Sequence, residues 1–349
     1  MRKKLPIVML ALTSSVLMSC SGAESHNWHD YLAGTLPYKE NFRILQLTDI
    51  HIGNKDNAKK QYDFLDLTIK DANADLIIVT GDLFTYAEKK DAIALFDFLE
   101  SYNTPWTLTF GNHDEQCYFS IDWLTNQLNK YGKHCMFKDI QNDDVFGNAN
   151  FAINLTKNNK LFEQVIIMDS NRYDYTVPKY DHIKEDQVNW YKELINYTKN
   201  TINGGQNYDS LLYFHIPLPE WEDALKQVTE KEYWDDLKEG NLEPVYLYTD
   251  KATDTLVKQF KGENPSNPQY DAHLFDAIVE LNSTKAISVG HDHVCNYVMK
   301  YKGVYLCYGV NSSDRIYYDD VNNLLGGRIL TVKKDHSLRF EDHYEKYEF

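Results

Sequence analysis

Apolar runs and amphipathic segments alternate through the first half of the chain, which predicts a β-sheet with helices packed on it. Short apolar runs predict strands at residues 42–48, 75–80 and 105–110. Between them, apolar residues at helical spacing predict helices at residues 57–72 and 87–102. Strands that are joined through helices lie parallel and are connected by right-handed crossovers, so these three strands should form a parallel sheet.

The second half of the chain continues this pattern and then changes to closely spaced strands with tight turns. The sequence predicts a helix at residues 186–197 and strands at residues 165–168, 211–214, 286–289, 294–299, 304–308, 328–332 and 338–343. We therefore predict an α/β fold in one domain over residues 41–349, with two stacked mixed β-sheets flanked by helices.

Residues 217–271 interrupt the strand and helix pattern. They are rich in acidic and aromatic side chains, and such a stretch inside a domain predicts a loop-rich insertion. We expect this insertion to form a lid that carries Trp221 and Trp234. A lid of this kind would influence substrate preference without holding the metal ions.

The N-terminus has the features of an export signal. Three basic residues precede an apolar stretch that ends at Met18 and is too short to span a bilayer. The Leu-Met-Ser-Cys sequence that ends at Cys20 resembles a bacterial lipobox, in which the cysteine is lipidated. We predict a signal peptide at residues 1–19 and a tether at residues 20–40. The mature protein would be anchored through Cys20 to the periplasmic or cell-surface side of a bacterial membrane, or would otherwise be secreted.

The charge balance limits the partners of the protein. Removal of residues 1–19 takes three of the 36 basic residues and none of the 52 acidic ones, so the net charge becomes −19. Such an acidic surface disfavours nucleic acid, because binding to its backbone needs faces rich in Lys and Arg. A small phosphorylated substrate stays compatible with this charge, since bound metal ions would dominate the field at their site.

Four cysteines follow Cys20, and in an exported protein they are candidates for disulfide bonds. They are Cys117, Cys135, Cys295 and Cys307. Cys295 and Cys307 flank a predicted hairpin turn and could form a bridge across it. Free thiols on apolar strands are the alternative.

Five polar clusters follow predicted strands, in order along the chain. In a parallel sheet, ligands gather at the carboxyl ends of the strands, which is where these clusters are predicted to lie. They are Asp49 with His51, Asp82 after Gly81, Asn112 with His113 and Asp114, His215, and His291 with His293.

The residue types in these clusters indicate a site for two divalent metal ions. Carboxylate, amide and imidazole groups suit such ions, and the lack of cysteine in the clusters argues against a structural zinc site. Asp49 and His51 lie on one face of an extended segment and can bind one ion together. Each cluster alone has a plainer explanation, such as a turn or a helix cap, but five clusters in order favour a metal site.

The motifs Asp-x-His, Gly-Asp, Gly-Asn-His-Asp, His and Gly-His-x-His resemble those of the calcineurin-like metallophosphoesterase superfamily. The segments at residues 214–220 and 290–294 resemble more narrowly its small purple-acid-phosphatase-like branch. The resemblance implies a four-layer αββα sandwich and two divalent or mixed-valence ions from among iron, manganese and zinc. It implies that one ion is held by Asp49, His51, Asp82 and His293, and the other by Asp82, Asn112, His215 and His291.

The chain departs from true purple acid phosphatases at two positions. Those enzymes have an Asp-x-Gly first motif, and a tyrosine three residues after the bridging aspartate. Here the two positions hold His51 and Thr85, and Tyr86 stands one residue late. The departure argues against a purple tyrosinate–ferric site.

The metal set predicts hydrolysis of phosphate esters, either monoesters or diesters. The expected reaction is in-line attack by a hydroxide that bridges the two ions. His113 lies next to the ligand Asn112 and is the predicted general acid, with Asp114 orienting its ring. The resemblance implies the same role for His113. The alternative is that His113 acts only through its charge and transfers no proton.

Two other functions compete with this prediction. A non-catalytic metal-binding surface protein that retains the fold would be expected to lack one or more ligands, and none is missing here. A zinc peptidase would be expected to carry a His-Glu-x-x-His helix, which the sequence does not contain.

The substrate-binding residues are less clearly marked in the sequence. Asn171 and Arg172, followed by Tyr173, come after a predicted strand and are candidates for the pocket wall. Arg315 is another candidate, because a guanidinium can bind a phosphate through two hydrogen bonds. For either arginine, an exposed ion pair is the alternative.

Overall fold

The structure is a computed structural model that describes residues 26–53, 58–140, 144–177, 179–228, 263–313 and 325–345. The predicted signal peptide, Cys20, Trp234 and Arg315 lie outside the described residues. Most of the predicted insertion, residues 229–262, lies outside them as well. Among the described helices, none combines the length and the apolar character that crossing a membrane requires.

Strands and helices alternate along the described residues. The strands are β1 (Leu32–Pro37), β2 (Phe42–Leu47), β3 (Leu76–Thr80), β4 (Trp106–Thr109), β5 (Phe151–Lys157), β6 (Lys160–Ile167), β7 (Tyr173–Asp174), β8 (Lys179–Tyr180), β9 (Asp209–Tyr213), β10 (Thr284–Val289), β11 (Val298–Tyr301), β12 (Val304–Tyr308), β13 (Gly326–Val332) and β14 (Leu338–Tyr344). The α-helices are α1 (Ala58–Ala72), α2 (Lys89–Glu100), α3 (Ile121–Leu128), α4 (Glu185–Tyr197), α5 (Glu220–Val228) and α6 (Leu274–Leu281).

The strands form two main sheets. One has seven strands in the order β1-β5-β6-β9-β10-β12-β11, and the other has five in the order β14-β13-β2-β3-β4. In the larger sheet, β6, β9, β10 and β12 are parallel, whereas β5 runs antiparallel to β6 and β11 runs antiparallel to β12. In the smaller sheet, β2, β3 and β4 are parallel and β13 pairs antiparallel with β2. Strands β7 and β8 form a separate hairpin.

The two sheets share an apolar core. Ile77 of the five-stranded sheet and Ile153 and Val165 of the seven-stranded sheet belong to this core, together with residues of α1 and α2. Side chains alternate along a strand, so Ile166 points the other way and packs in a second core with α4 and α6. The prediction of two stacked mixed sheets flanked by helices is confirmed.

Two predicted segments differ from the structure. Residues 32–37, predicted as part of the tether, form β1, which pairs in parallel with β5 at the edge of the larger sheet. The buried ring of Tyr31 packs against Trp190 of α4 and holds the start of this strand in place. The strand predicted at residues 294–299 begins only at Val298, because the chain first makes a turn that is closed by a hydrogen bond from the Cys295 N–H to the backbone oxygen of Asp292.

Two other sequence predictions concern the cysteines and Trp221. None of the four cysteines in the described residues forms a disulfide bond, so the structure shows the thiol alternative. Val298 is the partner of Cys307 in the hairpin, and Cys295 lies before the paired region.

Trp221 is fully buried at the start of α5 and packs against Tyr308, with ring centroids 6.2 Å apart. The prediction that Trp221 lies on a lid is therefore wrong.

Candidate metal centre

All five polar clusters lie directly after strands, at the edge where the two sheets meet. Asp49, Asp82 and Asn112 follow β2, β3 and β4 of the smaller sheet, and His215 and His291 follow β9 and β10 of the larger one. Because both sheets present the carboxyl ends of their parallel strands here, residues that are distant in the chain converge. None of the seven predicted ligands is more than 8% exposed.

The first group of ligands consists of Asp49, His51, Asp82 and His293. One potential ligand atom from each of these residues lies within 4.8 Å of the others. The Nε2 atoms of His51 and His293 are 3.0 Å apart, and His293 Nε2 is 3.5 Å from Asp49 Oδ1. These atoms surround a space in which one cation could be held.

The second group consists of Asp82, His215 and His291, whose ligand atoms also lie within 4.8 Å of one another. Asn112 joins this group, because its Oδ1 lies 3.2 Å from His215 Nε2. The structure therefore brings together all seven residues, in two groups that have Asp82 in common.

Asp82 lies between the two groups. Its Oδ2 is 3.3 Å from His215 Nε2 and 3.9 Å from His51 Nε2. Its other oxygen, Oδ1, accepts a hydrogen bond of 2.7 Å from the backbone N–H of His113. One oxygen is thus fixed by the backbone and the other faces both groups, as a bridging ligand requires.

Two buried atoms of the site lack hydrogen-bond partners. They are Asp82 Oδ2 and His291 Nε2. Burial of a polar group without a partner is costly, and burial of a charged oxygen is costlier still. Cations placed between the two groups would satisfy both atoms, so the residues present fit a binuclear metal site.

Hydrogen bonds to threonines orient two of the imidazole ligands. Nδ1 of His215 lies 2.8 Å from the backbone oxygen of Thr80, and Nδ1 of His51 lies 2.8 Å from Thr85 Oγ1. With Nδ1 carrying the proton toward these acceptors, Nε2 of each ring is left with its lone pair facing the site. The motif pattern did not reveal either threonine as a partner of a ligand.

The backbone of the ligand loops adopts a conformation that L-amino acids rarely take. Asp49, His51, Asp82 and His291 have φ values of 55°, 53°, 49° and 80°. Strained residues of this kind persist only where the surrounding structure holds them, and they concentrate at functional sites. A side chain at Gly81 would place a Cβ 2.5 Å from Nδ1 of His215, so this glycine allows the ring to approach.

Burial keeps two of the imidazoles neutral. It lowers the pKa of His51 and of His291 to about 3, although the charge of Asp82 opposes the shift. A neutral imidazole is the form that binds a metal ion.

The two carboxylates of the site stay ionised. Burial alone would raise the pKa of Asp49, but the hydrogen bond and charge of His293 hold it below its ordinary value. Burial likewise opposes ionisation of Asp82, but the charge of His215 holds its pKa well below the ordinary value. Burial would lower the pKa of His215, whereas Asp82 raises it to about 10. A metal ion bound here would replace the proton of His215, since a ligating imidazole must be neutral.

His113 lies at the edge of the centre. Its ring is 5.1 Å from that of His51, and its Nδ1 is 2.8 Å from Gln116 Oε1. The hydrogen bond to Gln116 fixes the ring and leaves Nε2 as the nitrogen that can meet a substrate.

The prediction that Asp114 orients His113 is wrong. The two oxygens of Asp114 accept hydrogen bonds from the backbone N–H groups of Phe84 and Gly111, at 2.9 and 2.8 Å. Asp114 therefore fixes the loops that follow β3 and β4. Gln116 takes the role predicted for Asp114. It lies three residues after His113, within one helical turn, and this spacing could have identified Gln116 from the sequence.

The predicted substrate residues have structural partners. The side-chain amide of Asn171 is buried and donates to the backbone oxygen of His182 and to Gln187 Oε1. Arg172 lies 3.2 Å from Asp169, so it forms an ion pair as the alternative held, but the pair is mostly buried and not exposed. The third candidate, Arg315, is outside the described residues.

Comparison with known proteins identifies relatives of the chain. A sequence model of calcineurin-like phosphoesterases matches residues 42–295. The chain is 27% identical to "Probable inactive purple acid phosphatase 29" of Arabidopsis thaliana, over 77% of this chain and 71% of that protein. It is 23% identical to "Phosphatase DCR2" of Saccharomyces cerevisiae, over 77% of this chain and 47% of that protein.

A solved structure shares the fold. The dimetal phosphatase LOC 393393 from Danio rerio superposes with a TM-score of 0.52 at 10% sequence identity. The match covers 89% of this chain and 100% of that protein. At this level of identity, the comparison bears on the fold alone.

Proposed function

This chain belongs to the calcineurin-like phosphoesterase family, and from that membership and its metal centre we propose that it hydrolyses phosphate esters with two bound metal ions. The observation that carries the proposal is the convergence of the seven ligands, in which two buried atoms face the site without hydrogen-bond partners. A protein that used this fold only as a scaffold would have no reason to keep these atoms unpaired.

The seven residues would bind the two ions in two sets that share one member. Asp49, His51 and His293 would hold one ion, while Asn112, His215 and His291 would hold the other. Asp82 would contribute to both through Oδ2. When bound, two divalent ions make a strong nucleophile from water at neutral pH and offset the negative charge of the phosphoryl oxygens.

His113 is the proposed proton donor to the leaving oxygen. Its Nδ1 is hydrogen-bonded to Gln116, and its backbone N–H is anchored on Asp82, so the ring has a fixed position beside the metal ligands. A leaving alkoxide needs a proton as the ester bond breaks, and Nε2 is the atom of His113 that can supply it.

The names of three relatives include the word inactive, which supports a second candidate function, metal binding without catalysis. Loss of a ligand would be the expected mark of that function. In this chain every predicted ligand is present and in place, which favours catalysis.

A panel of phosphate monoesters and diesters, combined with elemental analysis of the purified protein, tests the proposal. The wild-type protein should contain two metal ions per chain and hydrolyse at least one ester class. Asp82→Asn should reduce both the metal content and the turnover. Glu222→Gln, which removes a partly exposed carboxylate that pairs with Lys226 and is not among the metal ligands, is the control. Equal turnover by wild type and Asn112→Ala would support the non-catalytic function.

We also propose, from residues 1–20, that the protein is exported and anchored through a lipid on Cys20. The basic start, the short apolar stretch and the lipobox-like sequence support this proposal. Its test is given with the predictions in the Discussion.

A further inference from the structure

A cavity of about 590 Å³ lies beside the metal centre. Its volume falls within the range of roughly 300–1,000 Å³ that is typical of small-molecule sites. The hairpin of β7 and β8 forms one wall, and residues 265–267 form the other. The lining residues are Tyr173, Asp174, Tyr175, Val177, Lys179, Tyr180, Pro265, Ser266 and Asn267.

Two tyrosines of the cavity connect it directly to the metal ligands. The ring of Tyr180 meets the ring of His291 edge to face, with centroids 4.3 Å apart. The hydroxyl of Tyr173 accepts a hydrogen bond of 2.8 Å from Nδ2 of Asn112. Both rings therefore lie directly beside groups that would hold the metal ions.

The opposite wall is also tied to the metal loop. The backbone N–H of Ser266 donates to Asp292, which lies between the ligands His291 and His293. Both walls of the cavity are thus in contact with residues of the metal centre, although no metal ligand is among the lining residues that the structure describes.

Three tyrosines give the cavity an aromatic surface. The rings of Tyr173 and Tyr180 are stacked at 5.5 Å, and the ring of Tyr175 lies 6.1 Å from that of Tyr173. Tyr175 is 83% exposed, which is unusual for an aromatic residue beside a site. Exposed aromatic rings of this kind favour a ligand that can stack on them.

Polar residues outnumber the apolar Val177 and Pro265 in the rest of the lining, which disfavours a purely apolar chain as the ligand. Asp174, Lys179, Ser266 and Asn267 contribute charged or hydrogen-bonding groups. We propose that the cavity binds the leaving group of the substrate, and that this group is a nucleoside whose base stacks on the tyrosines. The inference rests on the proposed function, because it names the substrate class of the same metal centre.

The experiment compares a nucleoside 5′-monophosphate with ribose 5-phosphate. Both esters release a primary alkoxide, so they differ in the base and not in the reactivity of the leaving group. We expect a higher kcat/KM for the nucleotide, by roughly 5- to 150-fold, the range that stacking on one aromatic residue supplies. The gain should arise mainly in KM.

Three variants test which residue causes the preference for the nucleotide over ribose 5-phosphate. Tyr175→Ala should lower the preference for the nucleotide, and Tyr175→Phe, which keeps the ring, should retain it. Tyr118→Ala is the matched control, because Tyr118 is also a largely exposed tyrosine (73%, against 83% for Tyr175) and lines a different cavity of about 380 Å³, which includes His51. Loss of the preference in Tyr118→Ala but not in Tyr175→Ala would overturn the inference.

Failure of the inference is distinguishable from failure of the proposed function. Equal kcat/KM for the two esters would refute a nucleoside site and leave the hydrolase intact. Turnover of neither ester would count against the hydrolase for this class. In that case, calorimetry with the free nucleoside tests the cavity directly: binding by wild type that is weakened in Tyr175→Ala supports it, and no binding by wild type refutes it.

Discussion

The Nε2 atoms of His51 and His293 lie 3.0 Å apart, although 242 positions separate the two residues in the chain. Both rings are buried, and the pKa of His51 is lowered to about 3 by burial, so that ring carries no positive charge. Each nitrogen therefore directs a lone pair or a proton at the other unless a cation lies between them. This arrangement explains why the site gains from a bound metal ion.

Thr85→Val should weaken metal binding while leaving every ligand in place. The variant keeps the shape of the side chain but removes the oxygen that holds Nδ1 of His51. Loss of such a partner costs about 10- to 100-fold in metal affinity. Titration of the apoprotein with a metal ion would measure the change. Thr85→Ser keeps a hydroxyl and should bind nearly as well as wild type; equal affinity of Thr85→Val and wild type would contradict the assignment.

His113→Ala should impair turnover in a way that depends on the leaving group. Loss of a general acid costs about 10²- to 10⁴-fold where the leaving group needs a proton, as in alkyl esters. A 4-nitrophenyl ester releases a stable anion and should lose far less. Steady-state kinetics on the two ester types gives the comparison, with metal content as the control. A loss of the same size for both esters would indicate that His113 acts only through its charge.

The stability that Glu163 contributes should be lost as the pH rises from about 4.5 to 7. Burial raises the pKa of Glu163 to about 7, and the hydrogen bond from His336 only partly offsets this effect. The folded protein therefore keeps a proton that the unfolded chain releases in this range, so unfolding becomes easier as the pH rises. The bond to Glu163 also raises the pKa of His336, and that stabilisation is lost at higher pH as well.

Glu163→Gln should flatten this pH dependence. Denaturant unfolding at pH 4.5 and pH 7.5 should show a decline in the free energy of unfolding that is smaller than in wild type by about 2–3 kcal/mol, since one pKa unit corresponds to about 1.4 kcal/mol. Glu222→Gln, which removes a partly exposed carboxylate, should behave as wild type does. A pH dependence that is unchanged in Glu163→Gln would show that other groups cause it.

Cys20→Ser should move the protein from the membrane fraction to the soluble extracytoplasmic fraction, if the proposed lipid anchor is present. The substitution leaves the apolar export stretch intact and removes only the sulfur that would be lipidated. Cell fractionation with detection of the chain measures the change. Cys117→Ser is the control, because Cys117 is a free thiol within the folded domain. Wild-type protein that is already soluble would contradict the anchor.

The positions of the ligand loops followed from local features of the sequence. An all-apolar run such as residues 76–80 can be buried on both faces, and in the structure every residue of β3 is buried. Because β3 ends at Thr80, Asp82 is placed at the edge of the sheet. The same reasoning applies to Asp49, Asn112, His215 and His291, and it needed no knowledge of long-range contacts.

The partners of individual side chains did not follow from the sequence. Asp114 is next to His113 in the chain, yet its oxygens bond the backbone of Phe84 and Gly111. Trp221 belongs to a polar segment, yet its ring is buried in the core. Whether a side chain turns to its neighbour or to a distant loop is decided by packing between elements, which local sequence does not specify.

The sequence by itself determined the layered α/β fold and the set of groups that could bind metal ions, because strand periodicity and turn-forming glycines act over a few residues. The tertiary structure alone decided that β1 pairs with β5, that Thr85 bonds the ring of His51, and that Tyr180 rests against His291. These relationships join residues that are far apart in the chain, and they exist only once the two sheets have packed on a common core.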